Sequence, residues 1–276
     1  MINQEESARY YYRFKPGQRL LHGILFSTFL GLALTGLTIR FSYAGWASGF
    51  AHTVGGFGAI LFFHKAFAVL LTAAFLIHVG QVWRRAFIKR EAGILWGPKS
   101  LVPQPKDLME LLAHFRWFFG LGPKPKFDRF AYWEKFDYWA VFWGMAVIGL
   151  SGYRMWFAPF VAKFVSGSWF NVALLLHGDE ALLAVWFIFT IHFFNTHLRP
   201  GSFPMDTVIF TGRLSERELK EKHPAEYERL SAQGSLETIL AEKPESWFVV
   251  FGRIVGFAAI ATGFVLLLLT LFSSRQ

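Results

Sequence analysis

The stretch FGAILFFHKAFAVLLTAAFLIHVGQV, residues 57–82, decides the fold. It is apolar almost throughout, broken by His64, Lys65 and His78. A run this long, coiled as a helix rising 1.5 Å per residue, crosses a hydrocarbon core of ~30 Å. Helix is the expected form, because lipid leaves open backbone N–H and C=O groups unsatisfied. Ionisable residues inside such a run are costly and usually mark function.

Four further runs of the same kind flank it, at 20–39, 136–157, 170–198 and 247–272. The expected fold is therefore all-α, a transmembrane bundle of five spans: a four-helix core and a C-terminal fifth helix. Gly97-Pro98, Gly122-Pro123 and Arg199-Pro200-Gly201 punctuate the joins. Lys and Arg number four in residues 1–19, eleven in 84–135 and seven in 199–246, against one in 40–56, two in 154–169 and one in the C-terminal tail. Basic loops stay in the cytoplasm, so the N-terminus is expected inside and the C-terminus outside. The division that follows is a membrane domain at 1–198, a cytoplasmic arm at 199–246, and a fifth helix with an outer tail at 247–276. Within the arm, Leu214 to Leu230 mixes Glu, Lys and Arg as a surface helix would. The polar start and full-length first run predict no cleavable signal peptide. Tyr10 to Tyr12, Trp133, Tyr138, Trp156, Trp169 and Trp247 read as interfacial anchors.

Composition narrows the chemistry. The 276 residues include 33 Phe and 11 Trp but no Cys. Without Cys the chain can hold no disulfide, thiolate zinc, iron–sulfur cluster or c-type haem. A net charge of +9 would suggest nucleic acid in a soluble protein, but its concentration in particular loops fits membrane topology instead. No phosphate-binding glycine loop or nucleophile constellation is present, and no catalytic residue is assigned.

Any metal must then rest mainly on histidine. Of nine histidines, His52, His114 and His223 lie in polar segments and read as solvated loop residues. His22, His64, His78, His177, His192 and His197 lie in or at spans. His64 and His78 are fourteen residues apart, and His177 and His192 fifteen, which leaves each pair within about 40–60° on one helix face and ~21–22 Å apart along the axis. That suits two cofactors at two depths. His64 and His177 each lie seven residues inside the outer start of their helix, so they can face one another. His192, near the inner surface, can meet His22 or His78. A bis-imidazole pair in an apolar bundle is the expected cradle for a b-type haem. A different reading is a metal or proton transporter lined by histidines, which would spread such residues over many depths.

Several motifs add a resemblance: His22 with Leu34-Thr35-Gly36; His64-Lys65; Ile148-Gly149-Leu150-Ser151-Gly152 with Trp156-Phe157; Leu176-His177; Ile191-His192 with Gly201-Ser202; and His223-Pro224 with Tyr227. Together they resemble the cytochrome b (gamma) subunit of membrane-bound formate dehydrogenase, over about four helices and the following arm. The resemblance implies two haems b, an outer one between His64 and His177 and an inner one between His22 and His192. It further implies menaquinone or ubiquinone, an iron–sulfur or multihaem cytochrome c partner, and the inner membrane of a bacterium with the C-terminus periplasmic. The fifth span departs from it. The extra His78 gives a set of four, His64, His78, His177 and His192, that resembles quinol:cytochrome c reductases.

Around these ligands, Lys65 is expected to meet a haem propionate or an acid. Asp179 and Glu180 read as its partners, as proton carriers, or as contacts to another subunit. Asn195, His197 and Arg199 at the inner end of the fourth apolar span supply what a quinone carbonyl needs, although a snorkelling helix end is the plainer reading for Arg199. On α-helical geometry His197 lies about 140° round from His192. Arg40 and Arg154, at outer helix ends, could hold propionates, with snorkelling the plainer reading.

Overall fold

The computed structural model describes residues 9–199 and 201–273. The expectations touching residues 1–8, Pro200 and Arg275 lie outside the described residues. In chain order the elements are β1 (Tyr10–Tyr12), α1 (Pro16–Arg40), α2 (Gly45–Val54), α3 (Phe57–Trp83), α4 (Pro105–Phe118), α5 (Tyr132–Gly144), α6 (Leu150–Trp156), α7 (Ala158–Val161) and α8 (Ser168–Phe187). Then come α9 (Val208–Thr211), β2 (Arg213–Ser215), α10 (Glu216–Lys222), α11 (Pro224–Ala232), β3 (Leu240–Ala241) and α12 (Ser246–Ser273). Short π-helical segments occupy Arg84–Ile88, Met145–Gly149, Ile188–His192 and Phe194–Leu198.

The chain is mostly helical, and four helices are long and apolar enough to cross a membrane: Pro16–Arg40, Phe57–Ile88, Ser168–Leu198 and Ser246–Ser273. The remaining expected span, 136–157, is helical from Tyr132 through Trp156 with one π segment. Its Trp, Tyr and Gly content and Arg154 dilute its apolar character, and it is not among the four.

The residues divide into two compact units. The apolar unit takes Leu21–Val79, Ala140–Phe194 and Phe257–Gln276. Its core is Ala33, Leu37, Phe41, Ala44, Val185, Phe189, Leu266 and Leu267, from α1 and the turn after it, α8 and the π segment after it, and α12. Small residues let helices close on one another, as they do within lipid. An added Cβ at Gly31 would stand 2.5 Å from the Phe67 ring, and Gly263 lies against Phe189. Trp46 Nε1 donates to Ser273 Oγ at 2.8 Å, tying the end of α12 to α2. Large apolar side chains such as Phe62, Leu70, Leu76 and Phe264 are exposed, which water penalises and lipid does not.

The charged unit takes Met1–Leu20, Gly80–Trp139 and Asn195–Gly256. It contains an antiparallel sheet in the order β2-β1-β3, with Tyr11 opposite Leu214 on one side and Leu240 on the other. Tyr11 is buried with Val208, Leu214 and Leu219. Tyr10 to Tyr12 are therefore strand residues, not interfacial anchors as a group. The surface helix expected over Leu214 to Leu230 is two helices, because Pro224 cannot continue α10 but suits the first turn of α11. Ser215 and Glu218 form a reciprocal capping box at the start of α10.

Helix α4 inverts the usual amphipathic order. Leu108, Met109, Leu112 and Phe115 are exposed, whereas Asp107 is buried and Glu110 and His114 are half-buried. Asp107 accepts from Lys135 Nζ at 2.8 and 2.9 Å. The reading of His114 and His223 as solvated is overturned. His223 is buried and its Nδ1 lies 2.9 Å from the Asp128 carbonyl.

Candidate functional site

Within the apolar unit, α3 and α8 bring the rings of His64 and His177 together edge-on, with centroids 6.1 Å apart and planes at 79°. Neighbouring helices fix both rings. Thr35 Oγ1 commits its only proton to the Gly31 carbonyl at 2.6 Å, so at 2.9 Å from His64 Nδ1 it must accept. His177 Nδ1 lies 2.9 Å from the Ile148 carbonyl, which can only accept. Both rings therefore carry the proton on Nδ1 and keep the lone pair on Nε2. This is how metal-ligating histidines are oriented by their outer partners. Ile148 lies in the π segment Met145–Gly149, where the regular ladder is interrupted.

Each ring also rests on a glycine. A Cβ at Gly36 would lie 3.2 Å from His64 Cε1, and one at Gly152 would lie 2.9 Å from His177 Cε1. Thr35-Gly36 and Ser151-Gly152 thus each place a glycine against one imidazole and a polar or π-helical acceptor nearby.

The arrangement fits an iron porphyrin. Imidazole nitrogens bond a metal at about 2.0 Å, which sets two opposed rings roughly 6 Å apart between centroids. Among the described residues no group of three or more His, Asp or Glu is placed to hold a bare metal ion. Two imidazoles suffice where a porphyrin supplies the other four nitrogens. Arg154, two residues beyond Gly152, has Nε and Nη2 buried without a hydrogen-bond partner among the described residues, a demand a carboxylate would meet. Its guanidinium lies 4.9 Å from the Phe170 ring centroid.

The other expected site residues fall as follows. His22 lies in α1, half-buried, its ring centroid 6.2 Å from that of Phe26. His78 is half-buried in α3, and His192 lies in a π segment with its ring 6.1 Å from Phe193. Lys65 Nζ sits 5.0 Å above the Trp156 ring. Asp179 is exposed and pairs with Arg40 at 2.8 Å, so Arg40 is more than a snorkelling end. Glu180 accepts from Trp143 Nε1 at 3.2 Å.

Asn195, His197 and Arg199 belong to the charged unit. Asn195 and His197 lie in the π segment Phe194–Leu198, so the 140° offset from His192, which assumes α geometry, does not hold. The Arg199 guanidinium lies 4.6 Å above the Trp133 ring.

Sequence reading missed a second titratable group in the charged unit. His114 Nδ1 is 3.0 Å from the Tyr132 hydroxyl. Burial pushes the His114 imidazole down, and Arg199 and Lys124 add to the effect. Burial pushes Tyr132 and Glu110 up and Arg199 down. The usable signal was Glu110 and His114 one turn apart on the polar face of an amphipathic helix. The chain matches no protein-family model and no curated protein.

Proposed function

We propose that this chain is the membrane-anchored di-haem cytochrome b subunit of a respiratory redox complex, akin to the gamma subunit of membrane-bound formate dehydrogenase. It would pass electrons between a partner's redox centre and menaquinone or ubiquinone. The observation that carries the reading is the His64–His177 pair, two opposed imidazoles with both Nδ1–H groups committed and both Nε2 lone pairs free.

In this reading His64 and His177 hold the outer haem, and His22 and His192 the inner one, with His78 the competing inner ligand. Bound haem supplies reversible one-electron chemistry. The chain's own residues set the rest. Thr35 and the Ile148 carbonyl orient the ligands and raise their basicity. Gly36 and Gly152 leave room for the rings, and Arg154 and Lys65 offer positive charge to propionates. Asn195, His197 and Arg199 take the quinone headgroup. Asp179 is tied up by Arg40, which leaves Glu180 the better proton carrier of the two acids. All five helical runs are taken as spans, with the N-terminus cytoplasmic and the C-terminus periplasmic in a bacterial inner membrane. The partner is an iron–sulfur or multihaem cytochrome c subunit, since this chain has no Cys.

The test is the dithionite-reduced minus oxidised spectrum of the purified chain, with a haem assay. The expected result is a b-type α-band and two haems per chain. Absence of the band removes the reading. His22→Ala and His78→Ala, compared by haem content, identify the inner ligand.

A further inference from the structure

Tyr132 and His114 meet in the charged unit, and Glu110 lies one turn of α4 before His114. Glu110 and His114 are one turn apart on α4, so their side chains are neighbours. The Tyr132 hydroxyl meets His114 Nδ1 at 3.0 Å and feels the charges of Glu110 and Arg199. Trp117, Phe127 and Trp133 wall the His114 ring, with centroids 5.4, 5.5 and 5.6 Å away.

Glu110 contrasts with its neighbour Asp107. Lys135 satisfies Asp107 through two hydrogen bonds. Glu110 Oε2 is buried with no hydrogen-bond partner among the described residues. The charges around Glu110 are Lys106, Asp107, Lys135 and Asp128, and those around His114 are Arg199 and Lys124. A carboxyl raised by burial and an imidazole lowered by burial approach one another in acidity, which favours transfer of a proton between them.

We propose that Glu110, Tyr132 and His114 form a proton relay serving a quinone held at Asn195, His197 and Arg199. This rests on the quinone reading above. A quinone takes two electrons, arriving singly from a b-type haem iron, and two protons, forming two O–H bonds. For each proton, the Glu110 carboxyl gives one to the Tyr132 oxygen across a bridging water while the Tyr132 proton passes to His114 Nδ1 along their 3.0 Å contact. His114 releases its Nε2 proton toward the quinone oxygen, Glu110 recovers a proton from water, and the imidazole flips to restore its starting tautomer before the second proton. Quinol oxidation runs the same steps backwards. Arg199 keeps the doubly protonated imidazole short-lived and holds the quinone oxygen.

The experiment uses the full chain in nanodiscs with its haems pre-reduced by dithionite. Menadione or decylubiquinone is mixed in, and haem reoxidation is followed by stopped flow from about pH 5.5 to 9, a span that brackets imidazole titration. Wild type is compared with Glu110→Gln, Glu110→Asp, His114→Ala and Tyr132→Phe, the last removing one oxygen only. The expected result is unchanged haem content, reoxidation slowed roughly ten-fold or more in Gln, Ala and Phe variants, a flattened pH profile, and partial recovery in Glu110→Asp. Wild-type rates in the Tyr132→Phe and Glu110→Gln proteins overturn the relay and leave the haem reading standing. A uniform loss at every pH overturns it too, as a positional effect. Wild-type protein without a b-type band defeats the haem reading itself.

Discussion

The two units bury polar groups by opposite means. In the charged unit, buried charges satisfy one another. Arg13 and Glu226, each with a side chain 3% exposed, pair at 3.0 Å, and Arg129 adds a second contact to Glu226 at 2.9 Å. In the apolar unit, His64 and His177 satisfy one nitrogen each, and their rings lie 6.1 Å apart between centroids. A closed network of the first kind specifies a fold. Two neighbouring imidazoles that each keep one nitrogen unused ask for something to bind there. Burial alone therefore does not distinguish structure from site; what matters is whether every donor and acceptor is already used.

The most severe break in this contrast is His177→Ala. It should remove one haem of two, halving the b-type absorbance per chain, while protease resistance of the charged unit stays at wild-type level. Retention of both haems would show that the facing pair is a structural contact.

Glu226→Ala is the counterpart on the other side. It strands Arg13, leaving only Glu134 at 3.4 Å and backbone carbonyl contact. Breaking a buried pair by removing one partner typically costs about 3–5 kcal/mol. Thermal scanning of the full chain should show the charged unit melting early, with the haem band intact. A melting point equal to wild type would mean that Arg13 finds solvent or another acid.

A gentler perturbation is Gly152→Ala. Its Cβ would meet His177 Cε1 at 2.9 Å, closer than the 3.2 Å found for Gly36 and His64. Overpacking of this kind costs about 1–3 kcal/mol, enough to tilt the imidazole off its Ile148 bond. A redox titration should show a shifted midpoint for one haem in Gly152→Ala and a smaller shift in Gly36→Ala. Identical titration curves in both variants would mean that the rings have room to yield.

The apolar unit was the more legible from sequence. Lipid imposes its demand on composition directly, so the runs at 57–82 and 247–272 mark helices to within a residue or so of their bounds. The matched depths of His64 and His177 likewise pointed to their meeting. The Nδ1 acceptors were hidden, because Thr35 and Ile148 lie on other helical segments, each 29 residues from its imidazole. In the charged unit, strands of two or three residues carry too little periodicity to read, and the partners of Tyr11 lie more than 200 residues away. His223 looked solvated because Glu221 and Lys222 precede it, yet Lys222 pairs with Asp206 inside the unit; His114 is enclosed by Phe127 and Trp133, which lie beyond its own helix.

The finest test of the contrast is pH, since it probes buried imidazoles without a ligand. Burial holds His223 well below its ordinary value of 6.5, and Arg13 adds to the effect. The unfolded chain therefore takes up a proton that the folded unit refuses. The resulting stability is fully present above about pH 6.5 and declines as pH falls toward the depressed folded value. His114 acts in the same sense. Glu110, raised by burial, acts oppositely, its contribution being lost as pH rises through its folded value. Because His223 is far more buried than either, the net trend between about pH 7 and 5 should be loss. Limited proteolysis of the arm at 199–246 should accelerate over that interval in wild type and respond less in His223→Gln, whose amide can still donate to the Asp128 carbonyl. An equal acceleration in both proteins would show that the acid sensitivity does not come from His223.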